Sequence, residues 1–192
     1  IENGYYHIYN RGVEKRTIFE GQPDYEVFLS FLKEYLLPKN KEELQKKLSD
    51  PLTSYKEKSK IIKQLRLNNF NNEIFLIAYC LMPNHFHFLI KQQKQNSIDT
   101  FMNSIGSRYT IYFNKKHKRV GPLYQGTYKA KLITSDEQLI YLTKYIHQQS
   151  LAEDKKSKQP SSFENYLGLM NTEWIYPKEI LKFFSKRFTN LT

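Results

Sequence analysis

A chain of 192 residues with 15 Tyr, 13 Phe and 40% hydrophobic residues can bury a core without crosslinks, which excludes a disordered tail. Its 30 Lys and Arg against 19 Asp and Glu leave a net charge of +11, which favours a polyanionic partner. The basic residues are scattered through aromatic-rich sequence and not gathered on one amphipathic helix, so nucleic acid fits better than a membrane surface. No stretch approaches the roughly 20 apolar residues of a membrane span, and the opening Ile1-Glu2-Asn3-Gly4 has no signal-peptide pattern. The single Cys80 reads as a small core residue in a reducing compartment.

In chain order, Tyr5 to Gly12 is a strand of β-formers closed by an Asn10-Arg11-Gly12 turn. Residues 24–37 follow as a helix, with Asp24 as N-cap and Val27, Phe28, Phe31, Leu32, Tyr35 and Leu36 at helical spacing. Pro38 stops it. Residues 39–72 are polar and lysine-rich, with helical pieces at 42–48 and 55–67 separated by Ser49-Asp50-Pro51, and read as an inserted helical hairpin or mobile arm whose charges mostly face solvent. Strand character resumes at 73–79. After the turn Met82-Pro83-Asn84, the run His85-Phe86-His87-Phe88-Leu89-Ile90 is its expected antiparallel neighbour. Residues 96–118 form a helix capped by Ser97 or Asp99, and 119–131 a basic, aromatic loop entering a strand that ends at Ile133. Ser135 with Gln138 is a capping box opening a third helix through Gln149, with Leu139, Leu142 and Ile146 inward. A charged linker at 153–159 precedes a segment ending in an amphipathic piece at 177–187. These elements predict one α+β domain over residues 1–192 with an antiparallel sheet, an insertion at 39–72 and a C-terminal extension at 160–192 packed on it.

The chemistry concentrates at His85 and His87. Alternation along a strand puts both imidazoles on one face and Phe86 and Phe88 on the other. Two histidines side by side are half of a divalent-metal site. No His-Glu-x-x-His, Cys-x-x-Cys or acidic triplet completes it, so zinc-protease and structural-zinc chemistries fit poorly. An oxygen ligand would suit Mg²⁺ or Mn²⁺. The third helix carries Tyr141, Tyr145 and Gln149 at i, i+4 and i+8, on one side. If that side meets the histidines, Gln149 can complete the ligand set and a tyrosine hydroxyl one turn away can attack phosphorus. Spacing leaves open which tyrosine acts, or whether both only pack.

Several motifs occur in a fixed order. They are Asn10-Arg11-Gly12, Tyr79-Cys80-Leu81-Met82-Pro83-Asn84-His85-Phe86-His87, Arg108-Tyr109 with Tyr112-Phe113-Asn114, Leu123-Tyr124-Gln125-Gly126 with Tyr128-Lys129-Ala130, and Ser161-Ser162-Phe163 with Tyr166-Leu167-Gly168. Together the chain resembles the single-tyrosine HUH transposases, in particular the REP-associated branch. The resemblance spans nearly everything except residues 39–72. It implies a ferredoxin-like (RRM-like) antiparallel sheet with helices packed on one face. It also implies Mg²⁺ or Mn²⁺ held by His85, His87 and Gln149, with Tyr145 as the nucleophile. The implied reaction cleaves single-stranded DNA at or near hairpins through a 5′-phosphotyrosine, as a bacterial cytoplasmic protein and in some members a homodimer. Where the REP-associated branch continues Asn-Pro-Val, this chain reads Gln149-Ser150-Leu151, as the insertion-sequence transposases do at the glutamine. Arg11, Arg108, Lys115, Lys116, Arg119, Lys129 and Lys131 are the expected DNA contacts. A domesticated, non-catalytic hairpin-binding protein and a hydrolase of small nucleotides are the competing readings.

Overall fold

The computed structural model describes residues 1–151 and 159–188, with side chains through residue 184. The predicted charged linker at 153–159 therefore lies almost wholly outside the described residues, as do the last four residues of the C-terminal extension.

Four strands, β1 (Tyr5–Arg11), β2 (Ile74–Met82), β3 (His85–Gln92) and β4 (Lys129–Ile133), form one sheet in the order β2-β3-β1-β4. Every neighbouring pair is antiparallel. Helix α1 (Gln22–Leu36) lies between β1 and β2 in the chain, and α4 (Ser97–Lys116) between β3 and β4. This is the split βαβ, ferredoxin-like arrangement that the family resemblance implies.

Strand alternation assigns the two faces. Ile8, Leu76, Tyr79, Leu81, Phe86, Phe88 and Ile90 join Phe28, Leu32 and Tyr35 of α1 and Phe101, Ile105, Tyr109 and Phe113 of α4 in the larger core. The other face holds a smaller core in which Ile77, Ala78, Cys80 and Leu89 meet Leu139, Leu142 and Ile146 of α5 (Asp136–Ser150). A β-bulge at Leu76/Ala78 shifts the parity of β2, so that Ile77 and Ala78 both reach this second cluster. Helices on one face describe α1 and α4, whereas α5 covers the opposite face. It does so because Leu139, Leu142 and Ile146 recur every three or four residues and need an apolar floor. Cys80 is fully buried, and burial pushes its thiol up to about 12, in keeping with an inert packing role.

Two predicted caps are corrected. Gly21, not Asp24, occupies the N-cap of α1. Asp24 sits in the first turn, with no exposed surface, and accepts from the Glu20 amide at 2.9 Å and from Lys116 Nζ at 2.6 Å. Burial alone would raise its pKa, but these partners and the Tyr112 hydroxyl hold the carboxyl below the usual range. The N-cap of α4 is Asn96. Ser97 instead donates to Glu73, and Asp99 accepts from the Tyr128 hydroxyl.

Residues 39–72 contain two helices, α2 (Lys41–Ser49) and α3 (Tyr55–Arg66), packed on each other as a hairpin. Its base is tied to the end of α1, where Asn69 Nδ2 donates to the Leu37 carbonyl at 2.7 Å and the Phe70 amide to the Tyr35 carbonyl at 2.8 Å. The chain after residue 159 straps the outer edge of β2. The Leu81 amide donates to the Pro160 carbonyl, Ser162 N to the Tyr79 carbonyl, and Tyr176 N to the Leu76 carbonyl. These contacts cover an otherwise open strand edge. A short α6 (Phe163–Tyr166) and α7 (Lys178–Phe188) finish the second face, with α7 against α5. Among the described residues no helix is long and apolar enough to cross a membrane.

Candidate active site

Register decides what faces α5. In the β1–β3 ladder Tyr9 lies opposite His87 and Arg11 opposite His85, and in the β1–β4 ladder Lys129 lies opposite Tyr9 and Lys131 opposite His7. Alternation therefore places His7, Tyr9, Arg11, His85, His87, Lys129 and Lys131 on one face. Between this face and α5 runs a cleft of about 810 Å³, lined by those residues together with Gln125, Tyr141, Tyr145 and Gln149.

The strand and the helix thus meet as the metal hypothesis requires. The Tyr145 ring stands edge-on to His87, with centroids 5.6 Å apart, and 6.4 Å from His7. The His85 and His87 rings are 5.0 Å apart and nearly perpendicular. Tyr145 is half-buried, whereas Tyr141, one turn earlier, is 71% exposed and stands at the outer margin of the cleft.

Hydrogen bonds determine which imidazole nitrogens remain available. Asn84 Nδ2 donates to the Lys15 carbonyl at 3.2 Å, which orients Oδ1 toward His85 Nδ1 at 2.6 Å. A carboxamide oxygen only accepts, so His85 Nδ1 carries the proton and Nε2 keeps its lone pair. His87 Nδ1 lies 2.9 Å from His7 Nε2, so on His87 as well only Nε2 is left for a ligand role. Burial lowers the pKa of both rings, His87 to about 3 with neighbouring His7, His85 and Arg11 adding to the shift. Both are neutral at pH 7, the state a cation needs. Two neutral nitrogens plus the Gln149 amide in the same cleft fit a divalent cation that keeps further positions for water or phosphate oxygens. Among the described residues no group of three His, Cys, Asp or Glu is placed to hold an ion, and Gln149 lines the same cleft as the two imidazoles.

The dispersed sequence motifs converge here. The Gly12 amide donates to the Asn84 carbonyl, Gln125 N to the Arg11 carbonyl, Val13 N to the Leu123 carbonyl, and Ile18 N to the Pro83 carbonyl. Asn10 Nδ2 ties the end of β1 to the Gly126 carbonyl at 3.0 Å. Gly12 is required for space: a Cβ there would stand 2.4 Å from the Arg16 carbonyl oxygen. The Ser161-Ser162-Phe163 motif acts at a distance. The buried Ser162 hydroxyl accepts from the Tyr79 amide and shares a 2.9 Å hydrogen bond with His147 Nε2, fastening α5 to β2.

Of the predicted DNA-contacting cations, Arg11, Lys129 and Lys131 line the cleft. The structure does not bring Arg108, Lys115, Lys116 and Arg119 to it, because they belong to α4 and the turn after it, on the other side of the sheet. Arg108 pairs with Glu34 at 2.7 Å and stacks over Phe31, Lys116 pairs with Asp24, and Arg119 holds Asn114. Lys115 is exposed. Sequence reasoning missed His7 and the role of Asn84. The parity of His7 with Tyr9 along β1 was the available signal, but its meaning depends on the β1–β3 register.

Burial holds three imidazoles of this region neutral: His7 at about 4, His87 at about 3 and His147 at about 4. Each folded value lies below the 6.5 of an ordinary histidine. As pH falls the unfolded chain therefore binds protons first, and stability that is complete above about 6.5 is lost toward 4. For His147, 5% exposed, the shift corresponds to roughly 3 kcal/mol. Denaturant midpoints of the metal-free protein are expected to fall between pH 7 and 4.5, and a His147→Gln chain to lose less over that interval.

The model of the family described as transposase IS200 like matches residues 46–149, more than half of the chain. The match runs from within α2 to Gln149 and contains His85, His87 and Tyr145; β1 lies outside it. Among solved structures, the chain is similar to a REP-associated tyrosine transposase bound to a REP hairpin. The identity there is 9%, the TM-score 0.54, and the coverage 92% of this chain and 93% of that one. A second similar structure is a putative transposase from Deinococcus radiodurans R1, at 16% identity and TM-score 0.32, covering 76% of this chain and 89% of that one. No curated protein matches the chain.

Proposed function

The chain belongs to the IS200-like transposase family, and on that footing we propose that it nicks and rejoins single-stranded DNA at or near hairpins, with Tyr145 as nucleophile. The observation that carries this reading is the Tyr145 ring 5.6 Å from His87, across a cleft that also holds His85 and Gln149. His85, His87 and Gln149 would hold Mg²⁺ or Mn²⁺. Such an ion supplies charge stabilisation at a phosphate oxygen.

The chain's own residues supply the rest. Arg11, Lys129 and Lys131 attract the backbone phosphates, and the 39% exposed Tyr9 offers a ring for a base to stack on. Tyr145 Oη attacks phosphorus, the P–O3′ bond breaks, and the 3′-oxygen leaves, gaining one proton as the phenol loses one. The products are a 5′-phosphotyrosine and a free 3′-OH. Attack by a 3′-OH on that linkage reverses the bookkeeping of bonds and rejoins strands without external energy. A hairpin presents an unpaired flank beside a duplex. The hairpin carried by the similar transposase structure makes this substrate class the one to test. Arg108, Lys115, Lys116 and Arg119, on the far side of the sheet, would touch only DNA that wraps around the domain. Pairing into a homodimer belongs to the same proposal.

The test is incubation with a pool of single-stranded hairpin oligonucleotides and Mg²⁺ or Mn²⁺, followed by denaturing electrophoresis. A cation-dependent, protease-sensitive DNA adduct is expected. Hairpin binding with no adduct would instead favour a non-catalytic binding protein.

A further inference from the structure

We propose that His7 is a positioning residue for the cation site: its Nε2 accepts the Nδ1–H of His87 and so selects the tautomer in which His87 offers its Nε2 lone pair to a divalent cation. The inference rests on reading His85 and His87 as ligands. The 2.9 Å contact between His7 Nε2 and His87 Nδ1 has only two forms. If His7 donates, the remaining proton of a neutral His87 is on Nε2 and the ring cannot bind a metal. If His87 donates, its Nε2 is free. A functional site requires the second form, which also requires the proton of His7 to sit on Nδ1. His7 thus does for His87 what the Asn84 side-chain oxygen does for His85. Both partners lie outside the ligand set and both act as acceptors.

His7 is held for this role by the sheet. Register places it opposite Leu89 and diagonal to His87, within reach of a ring. Its ring lies 5.1 Å from that of His87, 4.9 Å from that of Tyr9 and 6.4 Å from that of Tyr145. His7 is not itself a third ligand from this geometry, because the nitrogen it turns toward His87 is already engaged. The choice of an imidazole has a chemical reason. A carboxylate is the commoner acceptor behind a metal-bound histidine. Position 7 faces Lys131 across the β1–β4 ladder, in a cleft also lined by Arg11 and Lys129. A carboxylate there would pair with Lys131 and weaken the positive surface that meets phosphates. A neutral acceptor orients His87 without that loss.

Long-range ¹H–¹⁵N spectra of the metal-free full chain at neutral pH report the tautomer directly. His87 is expected protonated on Nδ1 and His7 on Nδ1, and a His87 ring protonated on Nε2 overturns the proposal. Mn²⁺ binding, followed by the electron paramagnetic resonance of free Mn²⁺, supplies a second readout. His7→Phe is expected to weaken binding roughly 10–100-fold, and His7→Gln, whose carboxamide oxygen can accept, to recover much of it. Loss of binding in His85→Ala with none in His7→Phe overturns the role of His7 alone. Unchanged binding in both variants overturns the cation site itself. Should His7→Phe fail to fold, the wild-type spectrum and the His7→Gln chain decide the matter.

Discussion

Replacing Tyr145 with Phe is expected to lower covalent capture of hairpin DNA by roughly 10⁴-fold or more in a single-turnover assay. Affinity for the same strand, read by fluorescence anisotropy, should stay unchanged. The substitution removes one oxygen and keeps the ring that packs edge-on against His87 and His7. The helix also keeps its attachment through Leu142, Ile146 and the His147–Ser162 hydrogen bond. Tyr141→Phe is the informative control. Tyr141 lies on the same side of α5 but at the outer margin of the cleft, 71% exposed, and its loss should leave capture near the wild-type level. A Tyr141→Phe chain that loses capture while Tyr145→Phe retains it would move the nucleophile one turn toward the helix N-terminus.

The second large effect is expected at the histidines. His85→Ala and His87→Ala should each reduce cleavage by roughly 10³-fold, the scale of several kcal/mol of charge stabilisation at the reacting phosphate. The two variants should differ in stability. His85 is half-buried beside Asn84, so its truncation leaves a partner that water can reach. His87 is 7% exposed, so its truncation removes a packed ring and leaves a gap beside the half-buried His7, at a cost of about 1–3 kcal/mol. Calorimetry beside single-turnover kinetics separates the two consequences. Equal stability for the two chains would contradict the deeper burial described for His87. Mn²⁺-independent cleavage in either would contradict the ligand role.

Much of this architecture is legible in the amino-acid sequence where one physical rule dominates. Alternation along residues 85–90 sorts two imidazoles from two phenyl rings before any partner is known, and the 3.6-residue period does the same for Leu139, Leu142 and Ile146. Legibility ends where a result depends on pairing between distant segments. His7 becomes part of the cleft only through the β1–β3 register, and Asn84 acquires its role only because the Lys15 carbonyl engages its amide. Charge is the least readable property. Arg108 and Lys116 look like backbone-binding residues on a basic helix, yet each is engaged by a carboxylate of α1, Glu34 or Asp24. A lysine whose partner is a fully buried aspartate lying 92 positions away has no local signature. Asp24 itself resembles a helix cap from its place after Pro23, and long-range pairing with Lys116 and Tyr112 outweighs that local preference.

The ordered motifs have a common cause in this geometry. The end of β1 with Gly12, the Pro83-Asn84 turn and the loop from Leu123 to Gly126 meet at one end of the sheet and hydrogen-bond to one another and to the first histidine of the pair. Each is short and unremarkable alone. Together they set where β3 begins, and hence where His85 and His87 stand relative to Tyr145.

The most direct measurement is the identity of the residue joined to DNA. Protein captured on a single-stranded hairpin in the presence of Mn²⁺, digested with protease and nuclease and sequenced by tandem mass spectrometry, should carry a nucleotide linked through its 5′-phosphate to Tyr145. A linkage on any other residue, or a nicked strand with no protein attached, would contradict the account.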